Sequence, residues 1–379
     1  MLAVTLIITL MPFQFHWPRQ WKLIAGGAAM DVAANVLLFV PLGFLYRLAF
    51  ARGPALRVFL IGALVSAGIE GAQLFEITRE ASLADVGANA LGAWLGAAAL
   101  DKVTRFGKPD GRLVGWLALE LPLMGLIYLL VPLLWVSSLA SGGGAVRTAM
   151  MLLPGVFGAI LLGGMQRNYF GPARAAAPRD TAAFAAIWFL AGAFPLLPRQ
   201  PLHLIAGAAA VGALCWWLGR LPVRETAENR RFEVPLLKDA APIYATYLVM
   251  IVAVPLRGGV GEWSFTPGFR EIASDQVEIL RLLELVAAFT LVGYMVAEFR
   301  GRAVARYREA VPRLLGWGVA VALATEAARG YQLDQGASAA RGMLIAGAAL
   351  YGGWLYYLQR AHVVRLLSAN RPDAQFSGR

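Results

Sequence analysis

Charge is scarce in this chain. Asp, Glu, Lys and Arg make up 15% of its 379 residues and hydrophobic residues 59%, where an ordinary soluble domain is about 25% charged. So little charge cannot coat a water-facing surface of this size, which excludes a soluble globular protein. Cysteine is nearly absent: Cys215 stands alone, so there is neither an internal disulfide nor a thiolate cluster. The three histidines, His16, His203 and His362, are scattered without His-x3-His or His-Glu-x2-His spacing. A zinc site and a one-motif Ser-His-Asp triad are therefore not expected, and the residues call for no cofactor and no metal. Gly142-Gly143-Gly144 lacks the Lys-Ser/Thr of a phosphate-binding P-loop and reads as a flexible turn.

Long apolar runs fill the space that charge leaves. They recur near 2–16, 24–46, 57–75, 82–100, 113–136, 146–165, 181–198, 201–219, 240–256, 277–299, 311–328 and 342–359. Each is long enough, or nearly so, to cross a bilayer of about 30 Å. The expected fold is all-α, a polytopic transmembrane bundle of about twelve helices. The first run begins at Met1 with no basic lead and no small-residue cleavage site, so it reads as a retained helix.

The formal charge of +11 would suggest nucleic acid in a soluble protein, but its distribution argues for topology instead. Loops after even-numbered runs, with the tail, hold 24 of the 34 Lys and Arg, loops after odd-numbered runs hold 9, and Arg281 lies inside the tenth run. Positive charge concentrates on the cytoplasmic side of membrane proteins. Both termini are therefore expected in the cytoplasm, and no nucleic-acid partner is.

Seven polar side chains interrupt the apolar sequence between residues 31 and 96. Asp31-x3-Asn35 leads into Phe39-Val40-Pro41-Leu42-Gly43-Phe44. Glu70-x2-Gln73 follows, then Arg79, then Asp85-x3-Asn89-x2-Gly92-x3-Gly96. Positions four apart share a helix face, so each Asp points the same way as its Asn. With this topology all seven are expected at the extracytoplasmic interface. An ionised side chain within a membrane helix costs roughly 2.5–3.5 kcal/mol on insertion scales and usually has a partner or a task. Two accounts suit the set. Glu70, Arg79 and Asp85 can form an ion-pair network that pins helices. Alternatively, Arg79 grips a phosphate bidentately while Glu70 or Asp85 acts beside it as a general acid or base, with Asp31, Asn35, Gln73 and Asn89 binding the rest of a ligand.

This ordered set resembles the VanZ-like family of small bacterial membrane proteins over roughly residues 1–105, about a quarter of the chain. Pro12-Phe13 at the end of the first run fits too. The founding members are associated with low-level resistance to teicoplanin, a glycopeptide that acts on lipid-linked peptidoglycan precursor. The resemblance implies a multi-pass protein of the bacterial cytoplasmic membrane working in cell-envelope or glycopeptide-tolerance processes. Its implied partner is a membrane lipid, with a polyprenyl-linked intermediate foremost.

The last third repeats the order of these elements. Phe289 to Tyr294 lines up with Phe39 to Phe44, Glu326-x2-Arg329 with Glu70-x2-Gln73, and Ser338-x2-Arg341 through Gly352 with Ser82-x2-Asp85 through Gly96. A parallel pseudo-repeat is expected, dividing the chain into a VanZ-like part at 1–105, middle helices at 106–239 and a degenerate copy with a cytoplasmic tail at 240–379. In the copy Asp31 becomes Arg281, Gln73 becomes Arg329 and Asp85 becomes Arg341, while Glu326 keeps the glutamate. An acidic set thus becomes a basic one, and a second, anion-binding site is expected there with Glu326 orienting Arg329. The middle helices read as spacer or lipid-facing scaffold. The leading function is recognition of a phosphate- or glycan-bearing lipid head group. A secondary transporter or lipid translocator, a head-group hydrolase or transferase, and a structural assembly partner suit the same residues.

Overall fold

A computed structural model describes residues 5–6, 9–10, 17, 23–26, 28–50, 54–76, 80–106, 122–142, 144–170, 177–222, 232–253, 259–268, 276–300, 306–333 and 336–369. Helices dominate, and eight of them are long and apolar enough to cross a membrane. This bears out a multi-pass helical membrane protein. The chain divides into two compact units, Met1–Val114 and Gly115–Arg379.

In the first unit, α1 (Ala29–Ala49), α2 (Ala55–Gln73) and α3 (Leu83–Phe106) follow a two-residue strand, β1 (Leu23–Ile24). β1 pairs in parallel with β2 (Ala81–Ser82), Leu23 opposite Ala81 and Ile24 opposite Ser82. The expected start of a helix at 24 is thus corrected: α1 begins five residues later. Parallel helices α1 and α3 pack closely because glycine lies at their crossing. A Cβ at Gly92 would strike the Val36 carbonyl, and one at Gly96 the Val40 carbonyl. At the far end Arg47 of α1 grips Asp101 of α3 with two N–H donors at 2.8 and 3.1 Å.

The second unit contains α4 (Pro122–Ala140), the short α5 (Ala145–Met150), α6 (Leu152–Met165), α7 (Pro178–Gly192), α8 (Pro201–Arg220) and α9 (Glu233–Ala253). After these come β3 (Phe265–Thr266), α10 (Gln276–Arg300), α11 (Tyr307–Gly330), β4 (Ala337–Ser338) and α12 (Ala339–Ala369). One hydrophobic core runs from Leu123 in α4 through Phe157, Tyr244 and Phe289 to Tyr357 in α12. The middle helices are thus packed into this core, and α4 is its most buried helix by share of span.

Local contacts in the two units match one another. β3 and β4 pair in parallel, Phe265 opposite Ala337 and Thr266 opposite Ser338. A Cβ at Gly293 would strike the Ala349 carbonyl, as one at Gly43 would strike Ala93, and Gly352 meets Thr290 as Gly96 meets Val40. Strand pairing and helix crossing both bring the polar positions of each unit to one end.

Candidate functional site

Each unit builds that polar end around one buried glutamate. In the first, Glu70 closes α2 and its Oε2 accepts the Ser82 backbone N–H at 2.7 Å. In the second, Glu326 near the end of α11 accepts the Ser338 N–H at 2.7 Å. Both serines immediately precede a helix, α3 or α12, so each carboxylate sits at a helix N-terminus, where unpaired N–H groups favour negative charge. The separation in sequence is twelve residues in both cases. Holding the corner between strand and helix is therefore one role of each glutamate.

The remaining positions of the first unit cluster around that corner. Gln73, one turn after Glu70, is buried and donates to the Thr9 carbonyl at 2.8 Å. Asp85 lies half-buried in the first turn of α3. One turn deeper, Asn89 is 2% exposed and donates to the Ser66 hydroxyl at 2.8 Å. The Asn89 Oδ1 has no hydrogen-bond partner among the described residues. Asp31 is exposed in the first turn of α1, and Asn35 is half-buried on the next turn. Arg79 and His16 lie outside the described residues. The sequence reading passed over Glu76, which is 5% exposed with neither carboxylate oxygen hydrogen-bonded among the described residues. Its closeness to Glu70 was the available signal.

The basic set of the second unit converges and recruits residues from other helices. Arg341 of α12 holds Glu326 bidentately, Nε to Oε1 at 2.8 Å and Nη2 to Oε2 at 2.7 Å. This corrects the expected Glu326–Arg329 pairing. An i, i+3 spacing places two side chains on one helix face, but the guanidinium of α12 supplies the better fork. Arg281 pairs with Glu278 one turn earlier on α10. Arg147 of α5 pairs with Glu284 of α10 at 2.9 Å. Glu284 also accepts hydrogen bonds from Ser137 of α4 and, at 3.0 Å, from the Tyr247 hydroxyl of α9. Arg329 is 5% exposed and donates to the Ile251 carbonyl at 3.3 Å. In its place in the first unit, Gln73 likewise reaches a backbone carbonyl. Arg147 and Glu284 were missed from sequence: the first read as a loop charge, the second as a lone charge in a helix.

Chemically, the first unit offers acceptors and carboxylates, which suit hydroxyl donors or cations. The second offers guanidinium forks, which suit oxyanions. Among the described residues no group of three or more His, Cys, Asp or Glu is placed to hold a metal ion. The VanZ/LLP1 family model matches residues 2–103, so the N-terminal region is VanZ-like. No curated protein and no solved structure matches the chain.

Proposed function

We propose that this chain, VanZ-like over its first hundred residues, recognises the phosphate- or glycan-bearing head group of a membrane lipid. The class in view is a polyprenyl-linked envelope intermediate at the outer leaflet of a bacterial cytoplasmic membrane, which would tie the protein to envelope building and glycopeptide tolerance. The observation that carries the reading is the burial of polar groups at the end of apolar helices. Glu70, Gln73 and Asn89 are buried, and the Asn89 Oδ1 lacks a donor among the described residues. Buried polar atoms are nearly always satisfied, and a sugar hydroxyl is a donor of the right kind. The matched corners and glycine crossings support residues 240–360 as a degenerate second copy whose chemistry has changed sign.

The test is to extract the protein with its surrounding lipid in polymer nanodiscs and identify that lipid by mass spectrometry. A polyprenyl-linked glycolipid should be enriched over the bulk membrane, and the enrichment should fall at least about tenfold in Asn89→Ile and Glu70→Gln. The first variant copies the apolar Ile345 that the second unit carries at the matching place. The second keeps an oxygen for the Ser82 amide. A lipid profile equal to the bulk membrane would end the reading. A second reading, a head-group hydrolase or transferase, is favoured by Glu76, whose buried carboxylate is unengaged among the described residues. Conversion of the bound lipid on incubation, abolished in Glu76→Gln, would establish it.

A further inference from the structure

Four arginines and three glutamates meet at the polar end of the second unit, and three of the arginines are matched. Arg147 faces Glu284, Arg281 faces Glu278 and Arg341 faces Glu326. Arg329 is the exception. It is 5% exposed, gives one hydrogen bond to a backbone carbonyl, leaves its Nε without a partner, and meets no carboxylate within ion-pair distance among the described residues. An uncompensated buried guanidinium is costly unless an anion joins it. The cleft beside it is lined by Arg147, Glu278, Arg281, Glu284, Arg329 and Arg341, with Ile251, Leu282 and Leu285 as apolar walls. Its enclosed part is small, about 20 Å³, and the rest opens to the outside. An enclosed space of that size holds about one water, so a ligand would seat one or two oxygens among the guanidinium forks and keep the rest of its bulk in the open mouth.

We propose that this cleft is an oxyanion site for a phosphate group carrying a single negative charge, as in a phosphodiester or a phosphate monoanion. Three ion pairs cancel, and the one remaining positive charge sets the charge of the ligand. All four cations are arginines, whose planar forks bind phosphate oxygens bidentately, and they arrive from four different helices, α5, α10, α11 and α12. Such convergence suits a tetrahedral group better than a planar carboxylate. The matching positions of the first unit are Asp31, Gln73 and Asp85, so the site belongs to the second unit alone and does not depend on what the first unit binds. A phosphate on a lipid and a free phosphate present the same group.

Two arms separate those sources. The full chain is placed in dodecyl maltoside micelles, which carry no phosphate, and its unfolding temperature is read from tryptophan fluorescence. One arm adds sodium phosphate against sodium chloride at equal ionic strength. The other adds dioleoyl phosphatidic acid to the micelles at about one fifth of the detergent. At about ten times Kd a rise of roughly 2–3 °C is expected in at least one arm. Arg329→Gln, which keeps a donor for the Ile251 carbonyl, should lose the rise, and Arg329→Lys, which keeps the charge without the fork, should retain part of it. Should Arg329→Gln fail to fold, Arg281→Gln carries the test, since its partner Glu278 is 30% exposed and can rehydrate. A rise only with phosphatidic acid assigns the site to a lipid head group, and one only with sodium phosphate assigns it to a free anion. No rise over the controls in either arm, or an equal rise in the glutamine variants, overturns the site.

Discussion

Glu284 shows how much one side chain can hold together. Its carboxylate is 5% exposed and binds Arg147 of α5, Ser137 of α4 and Tyr247 of α9. Breaking a buried ion pair from one side leaves the other charge stranded, at a cost of about 3–5 kcal/mol. Losing one hydroxyl partner costs about 1 kcal/mol. Glu284→Gln should therefore lower the unfolding temperature several times further than Ser137→Ala does. Adding Arg147→Gln to Glu284→Gln should recover part of the loss, since neither charge is then left alone. Equal effects of Glu284→Gln and Ser137→Ala in a thermal melt would show that the charge is not held by its pair. At this scale the sequence was partly legible. Arg281 and Glu326 stood out as charges in apolar runs, Arg329 and Arg341 as the matching bases between runs, and they do converge. Arg147 did not, because a cation beside three glycines resembles any loop charge until α5 folds it towards α10. The signal was Glu284 itself, an acidic residue three positions from Arg281 within an apolar run.

Among helices, glycine decides which pairs approach. At Gly96 and Gly352 any Cβ would run into the backbone of the neighbouring helix, at Val40 and Thr290 respectively. At Gly87 and Gly347, on the same two helices, a Cβ would meet nothing within 4 Å. Gly96→Ala and Gly352→Ala should each destabilise by about 1–3 kcal/mol, since the helices must separate. Gly87→Ala and Gly347→Ala should be neutral or stabilising by up to about 1 kcal/mol, the ordinary helix preference of Ala over Gly. A thermal shift assay on the four variants in detergent checks the contrast, and four similar melting temperatures would contradict it. Helices were readable because twenty-residue apolar runs have few other meanings. The strand pairs were not. Two residues carry no periodicity, and residues 23–26 look like the start of an apolar run until a parallel partner at 81–82 withdraws them. The Glu326 partner was misplaced for a similar reason, because spacing along α11 was visible and the approach of α12 was not.

For the whole molecule, α11 reports which face of the membrane the polar end of the second unit meets. Its 24 residues rise about 36 Å at 1.5 Å each, longer than the roughly 30 Å hydrocarbon core, but its charged ends leave it outside the eight helices apolar enough to cross by composition. Charged residues crowd its two ends, Arg308, Glu309 and Arg313 at the start, Glu326 and Arg329 at the finish, with an apolar stretch from Leu314 to Thr325 between them. Exposed Arg306 caps the start. At the other end the Gly330 carbonyl accepts the Ser264 N–H at 2.9 Å, two residues beyond exposed Glu262. Glu262 and Arg306 therefore mark opposite ends of one helix. From the excess of Lys and Arg in even-numbered loops, Arg306 is expected in the cytoplasm and Glu262, with the arginine cleft, outside. Cys215 is 1% exposed, so a Cys215→Ala background should fold and give no signal of its own. In that background, an impermeant maleimide should label Glu262→Cys on intact cells and Arg306→Cys only after the membrane is opened. Labelling of both on intact cells would mean that α11 does not cross. The reverse pattern would turn the cleft towards the cytoplasm, where soluble phosphate compounds, and not an outer-leaflet lipid, would be its ligands.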